Sequence, residues 1–144
     1  MDAAKIIGLA IMGGIATAFQ GRFMGIMEQR MGWKECVFIT YVSGGILVAL
    51  AMLAVRGGNL VAWPKVPWYV FTAGILGLLI VGTIGYTVPR LGMARAFTVM
   101  IAAQLIGAMM LDHFGLFGAT VRMLNMYRMT GFIIMVVGVW MVLK

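Results

Sequence analysis

Along the chain, apolar positions gather into five runs, each long enough to cross a bilayer and each closed by polar or turn-forming residues. The pattern predicts spans over 5–27, 36–55, 68–88, 92–111 and 128–143. Between the first two lies Glu28–Glu35, EQRMGWKE, read as a short polar connection. Arg56–Pro67 is the first real loop, with Gly57, Gly58, Asn59 and two prolines that stop helices. Pro89–Gly92 leaves room for only a minimal turn, which predicts that the third and fourth spans form an antiparallel hairpin. Asp112–Tyr127 reads as a longer, partly apolar connection. Within it Thr120 is placed to start a short interfacial helix carrying Arg122 and Arg128 at its ends. Trp33, Trp63, Trp68 and Tyr69 suit the membrane interface. The first run is too long for a signal peptide and lacks a small-x-small cleavage site. The expected fold class is an all-α membrane protein with one five-helix domain.

Inside the runs, small residues recur at helical spacing. Gly21 and Gly25 form a small-xxx-small pair, and Gly74, Gly77 and Gly85 share one side of the third span with Gly82 at its edge. Gly107 adds another in the fourth span. These glycines are expected to let neighbouring backbones approach closely in lipid. In the fourth span, Arg95, Thr98 and Ala102 share one side, and Ala103, Gln104, Gly107 and Ala108 share roughly the opposite one. Small or polar residues on both sides predict an inner helix, packed on one flank and facing a cavity on the other. The last span has no polar side chain after Thr130, so it is expected to face lipid or a second subunit.

Composition agrees: 63% of residues are hydrophobic and 10% charged, where soluble domains run near a quarter charged. The net charge of +7 would suggest nucleic acid in a soluble chain. Here the bases end or separate apolar runs, where lipid headgroups and snorkelling account for them, and no nucleic-acid partner is expected. Cys36 is alone and His113 is the only histidine, so neither an internal disulfide nor a metal site is expected. No nucleophile–base pair stands out, so an enzyme with catalytic residues or a cofactor is not expected. Loop bases set orientation. Lys5, Arg56, Lys65, Arg122 and Arg128 fall on the N-terminal side, against Arg22, Arg30, Lys34, Arg90, Arg95 and Lys144 on the other. That balance predicts insertion in both orientations.

The stretch Pro89–Gly118, PRLGMARAFTVMIAAQLIGAMMLDHFGLFG, carries a resemblance. Its turn, its apolar helix with a single Gln, and above all its DHFGLFG run resemble the fourth helix of the half-size, five-helix YdcZ-like family of the drug/metabolite transporter superfamily. Gln20-Gly21 is similar to the first half of that family's QGxxN pattern, with Met24 where the family has Asn. Full-length members of the superfamily fuse two inverted five-helix halves. The resemblance therefore implies an antiparallel homodimer of ten helices, or a heterodimer with a paralogue, in the bacterial inner membrane. It implies a secondary transporter that moves a small metabolite or amphiphilic solute by alternating access, with lipid as its other partner. The alternative is a non-transporting subunit that stabilises or regulates another membrane complex. Small multidrug exporters of the superfamily hold a Glu within the first helix; here Glu28 stands at the helix end. An anionic, zwitterionic or neutral solute is therefore favoured over a hydrophobic cation.

The substrate-contacting set expected from these readings is Gln104, Gln20, Arg95, Thr98 and Tyr86. Gln104 lies about 20 Å along its helix, past the bilayer midpoint, where its amide needs a neighbouring helix or a substrate to bond. Arg95 and Arg22 fall within apolar runs, where a charge is functional unless it snorkels to the interface. Thr83 and Thr87 are read as bonding back to their own helix. Asp112 and His113 either carry a coupling proton or shape the following loop, the Asp112 carboxylate accepting from loop N–H groups. The glycines of that loop are read as positive-φ positions.

Overall fold

A computed structural model describes residues 3–56, 58–123 and 125–144. Among these residues it is predominantly helical, with no strand. The helices are α1 (Ala3–Met31), α2 (Trp33–Ala54), α3 (Ala73–Leu91), α4 (Met93–Phe114) and α5 (Met126–Leu143). Short 3-10 stretches occupy Leu60–Lys65, Trp68–Thr72 and Leu116–Gly118. Counting Trp68–Leu91 as one stretch, five helices are long and apolar enough to cross a membrane among the described residues.

The helices overrun the predicted spans, and each overrun has a local cause. Glu28, Gln29, Arg30 and Met31 are polar or flanking but intrinsically good helix formers, so α1 runs through them. The connection EQRMGWKE thus shrinks to a single residue. Gly32 turns the chain at φ 104° and its carbonyl accepts the Cys36 N–H at 3.1 Å. A Cβ at Gly32 would sit 2.8 Å from the Glu35 Oε2, so glycine is required there for space as well as conformation. α3 likewise continues through Pro89. The proline gives up one backbone bond, and its ring lies against α1, 3.8 Å from where a Gly25 Cβ would be. Gly92, at φ 82°, is then all that separates α3 from α4.

α4 does not stop at Leu111: Asp112 and His113 belong to its last turn, and Gly115 ends it in the left-handed conformation (φ 60°). Gly118 also takes a positive φ, as read from the sequence, but so does Phe117 at 55°. The interfacial helix expected at Thr120 does not form, and the chain from Ala119 to Met123 is irregular. The Arg122 N–H reaches back to the Asp112 carbonyl (3.0 Å), which ties this irregular stretch to the end of α4. Asn125 starts α5 instead, its side-chain oxygen accepting the Arg128 N–H at 2.9 Å. Arg56–Pro67 contains a 3-10 turn built around Pro64, while Gly57 lies outside the described residues.

The chain divides into two compact units, Met1–Arg90 and Leu91–Lys144. In the first, Met24, Cys36, Ile84 and Val88 are buried together with Gly21, Gly25, Gly82 and Gly85. Lipid is as apolar as these side chains, so burial alone does not draw the helices together. Close packing of small residues and interhelical hydrogen bonds do. In the second unit Ala96 and Ala102 of α4 are buried.

Candidate functional site

The first unit is stitched at one end. α3 passes so close to the α1–α2 turn that a Cβ on Gly85 would lie 3.1 Å from the Met24 Cε and 3.6 Å from the Cys36 Sγ. Gly82 allows the Trp33 ring to lie flush on α3, and the indole N–H donates to the Gly82 carbonyl at 2.8 Å. Cys36 donates its thiol proton to the Met24 carbonyl at 3.3 Å. Beyond them Arg90 pairs with Glu28 at 3.0 Å, donates to the Tyr86 carbonyl, and lays its guanidinium 3.7 Å from the Tyr86 ring centre. Sequence reading assigned Trp33 to the membrane interface and left Glu28 without a partner. The Glu28–Arg90 pair spans most of the unit in sequence, and no local pattern announces it.

Two clefts flank this stitching. The larger, about 510 Å³, lies between α2 and α3 and includes Trp33, Val37, Leu79, Thr83 and Tyr86. It is almost wholly apolar, because the Thr83 and Thr87 hydroxyls bond back to Leu79 (2.8 Å) and Thr83 (2.7 Å) of their own helix, as the sequence suggested. The smaller, about 400 Å³, brings together Gln20 of α1, Thr40, Tyr41 and Gly44 of α2, and Val81 of α3. The Thr40 hydroxyl is committed to the Cys36 carbonyl (2.8 Å). The Gln20 amide and the Tyr41 hydroxyl have no hydrogen-bond partner among the described residues. Gly77 keeps this wall open, since a Cβ there would stand 2.9 Å from the Tyr41 hydroxyl oxygen. Tyr41 was missed in the sequence, where a tyrosine inside an apolar run gives no signal of which neighbour it faces.

The second unit disposes its candidates differently. Gln104, Ala103 and Ala108 are exposed on α4, and Gln104 has no hydrogen-bond partner among the described residues. A Cβ on Gly107 would meet nothing within 4 Å, and the same holds for Gly74 in the first unit. Arg95 is exposed, and the Thr98 hydroxyl bonds back to Ala94 at 2.7 Å. The Asp112 carboxylate accepts no hydrogen bond among the described residues: the loop is tied through its backbone carbonyl instead. The His113 Nδ1 is buried and unpartnered among the described residues. Tyr86 therefore joins the apolar cleft and Gln20 the polar one, while Gln104, Arg95 and Thr98 stand on α4 outside both clefts. No three His, Cys, Asp or Glu side chains cluster among the described residues.

Five helices long and apolar enough to cross a membrane among the described residues define the class: a polytopic membrane protein. The chain belongs to the YdcZ family: the family model described as "Putative inner membrane exporter, YdcZ" matches residues 6–141. It is similar to the "Inner membrane protein YdcZ" of Escherichia coli (strain K12), 28% identical over 159 aligned positions that cover 100% of this chain and 98% of that relative. No solved structure matches. The protein is thus an inner-membrane protein with a membrane transporter role.

Proposed function

We propose that the protein carries a small neutral, zwitterionic or anionic solute across the inner membrane by alternating access between two copies of the chain. The observation that supports this most directly is the state of its two mid-span amides. Gln20 in α1 and Gln104 in α4 are exposed and lack hydrogen-bond partners among the described residues. In hydrocarbon such a group costs several kcal/mol unless something bonds it. A second copy and a polar solute between the copies supply that partner together. An amide both donates and accepts, so it reads carboxylates, hydroxyls and amides alike. Gly107, with open space beside it and Gln104 one turn away, offers the close approach that a second helix needs. Balanced loop bases supply the antiparallel pairing, since both orientations of one chain then occur in one membrane. Rocking of inverted halves about a midplane site is the motion such pairs use.

The test is a thermal-shift screen of the purified protein against metabolites, because a ligand of the folded state raises its apparent stability. Solutes that shift the protein are then assayed for flux in proteoliposomes. Flux above protein-free vesicles, lowered several-fold in affinity by Gln104→Ala and by Gln20→Ala, is the expected result. Stabilising solutes that are never transported would overturn the transport reading. Labelling of a tag at Lys144 from both faces of intact cells tests the antiparallel pairing, and one-sided labelling would reject it.

A further inference from the structure

The smaller cleft of the first unit holds two polar side chains that its own helices leave unanswered. Its walls include Gln20 of α1, Thr40, Tyr41, Gly44 and Gly45 of α2, and Val81 of α3. Gln20 stands about 16 Å from the end of α1 at Met31, and Tyr41 about 12 Å from the start of α2 at Trp33. In a hydrocarbon layer about 30 Å thick, both lie within the apolar slab rather than at its surface. Thr40 offers no free donor, because its hydroxyl bonds the Cys36 carbonyl at 2.8 Å. The Gln20 amide, which donates and accepts, and the Tyr41 phenol, which does the same, are without partners among the described residues. The place of the phenol is defined. A Cβ on Gly77 would stand 2.9 Å from its oxygen, so the Tyr41 side chain reaches from α2 to α3 and rests its hydroxyl where Gly77 has no side chain. Among the described residues no Lys, Arg, Asp or Glu lines the cleft. Arg22, two positions beyond Gln20, is about 200° around α1 from it and is not part of the wall.

We infer that this cleft binds the uncharged polar end of an amphiphilic solute, a hydroxyl or a carboxamide, with the Gln20 amide and the Tyr41 hydroxyl as its hydrogen-bond partners and Tyr41 as the residue that sets specificity. The inference rests on the transport reading for calling the ligand a solute, and it narrows that reading from three charge classes to one at this cleft. The cleft's own groups decide the class. An ion brought here would exchange its hydration for two neutral side chains, and an unpaired charge in an apolar setting costs far more than two hydrogen bonds return. A hydroxyl or a carboxamide both donates and accepts, so it can answer the amide and the phenol together. A purely apolar solute would leave both unpaired, which is how a site built to bond a polar group rejects the analogue that lacks it. The rest of the wall is apolar or glycine, and about 400 Å³ gives room for a ring or a short chain behind the polar group. Gly77 belongs to the device, because a side chain there would push the Tyr41 hydroxyl from the place it holds.

The experiment uses the full chain in lipid nanodiscs with 3-fluorotyrosine at its four tyrosines, so that fluorine NMR reads Tyr41 apart from Tyr69, Tyr86 and Tyr127. The probes are benzamide, benzyl alcohol, benzoate, benzylammonium and toluene, which share one ring and differ in the polar group. Benzamide and benzyl alcohol should shift Tyr41 saturably and leave Tyr69 and Tyr127 unmoved, while the two ions and toluene give no saturable shift. Gln20→Leu and Gly77→Ala should each weaken benzamide binding about five-fold, the equivalent of one hydrogen bond. Tyr41→Phe, followed through the fluorine of 4-fluorobenzamide, should lose as much. No saturable shift at Tyr41, benzoate bound as tightly as benzamide, or toluene bound as tightly as benzyl alcohol would overturn the assignment. The wild-type titration decides between these outcomes even if a variant does not fold. Binding is read here without flux, so the two readings fail separately. Solutes that are carried while Tyr41 stays unmoved would overturn this assignment and keep transport; solutes that saturate Tyr41 and are never carried would do the reverse.

Discussion

The two units differ in how far they satisfy polar groups inside an apolar solvent from within. In the first, Trp33, Cys36 and Arg90 each find an acceptor on another helix, and Gly25, Gly77, Gly82 and Gly85 each have a neighbour where a Cβ would go. In the second, Gln104 and the His113 Nδ1 are unpartnered among the described residues, and Gly107 faces open space. The same residue types, small and polar at helical spacing, thus serve self-assembly around Trp33, whereas Gln104, like Gln20 and Tyr41 in the first unit, is left without a partner among the described residues. A glycine or an amide within a span reveals that something approaches it; only the packing around it says whether that something belongs to the same chain.

The widest separation should come from adding bulk to one glycine of each kind. Gly85→Leu drives a side chain into Met24, Cys36 and Trp33, and overpacking of this sort costs about 1–3 kcal/mol, occasionally more. A marked drop in thermal stability and folded yield is expected. A Cβ on Gly107 meets nothing within 4 Å, so stability of the isolated chain in detergent should hold for Gly107→Leu while, on the pairing proposed above, cross-linked dimer declines. Equal loss of stability in both variants would erase the contrast. Next comes Trp33→Phe, which keeps the ring against Gly82 but removes the donor to its carbonyl. That carbonyl keeps its place in the α3 ladder, so the loss should be about 1 kcal/mol, read as a lowered unfolding midpoint. Glu28→Gln should matter less, about 0.5 kcal/mol or below, because Arg90 is 46% exposed and also bonds the Tyr86 carbonyl. Asp112→Asn should leave thermal stability unchanged within error, since the loop hangs on the Asp112 backbone carbonyl and its side chain bonds nothing among the described residues. A clear destabilisation there would restore the carboxylate as the loop's anchor.

Five spans were legible because twenty-residue apolar runs have few other readings. Their ends were not. Glu28–Met31 and Asp112–Phe114 look like connections by polarity yet continue as helix, since helix propensity and a following Gly, not hydropathy, set those boundaries. The glycine side of α3 was visible as a periodicity, but Trp33 as its partner was not. An indole reads as an interfacial anchor unless the position of α2 against α3 is known. For the candidate site, Gln104 announced itself as the lone amide within the fourth span, and Gln20 through the resemblance of Gln20-Gly21 to the family's pattern. Tyr41 did not, because tyrosine is an ordinary member of apolar runs and acquires meaning only from the cleft it lines.

The one-residue link at Gly32 has a consequence for biosynthesis. A ribosome adds about 5–20 residues per second, so α2, 22 residues long, follows α1 into the insertion machinery within about one to four seconds. With Gly32 alone between them, α1 has no slack in which to settle before α2 begins to emerge. The pair must enter the bilayer as a hairpin whose tip carries Arg30 and Lys34 on either side of the glycine. The side of the membrane that receives this tip is therefore chosen once for both helices, by an event that ends while most of the protein is still unmade.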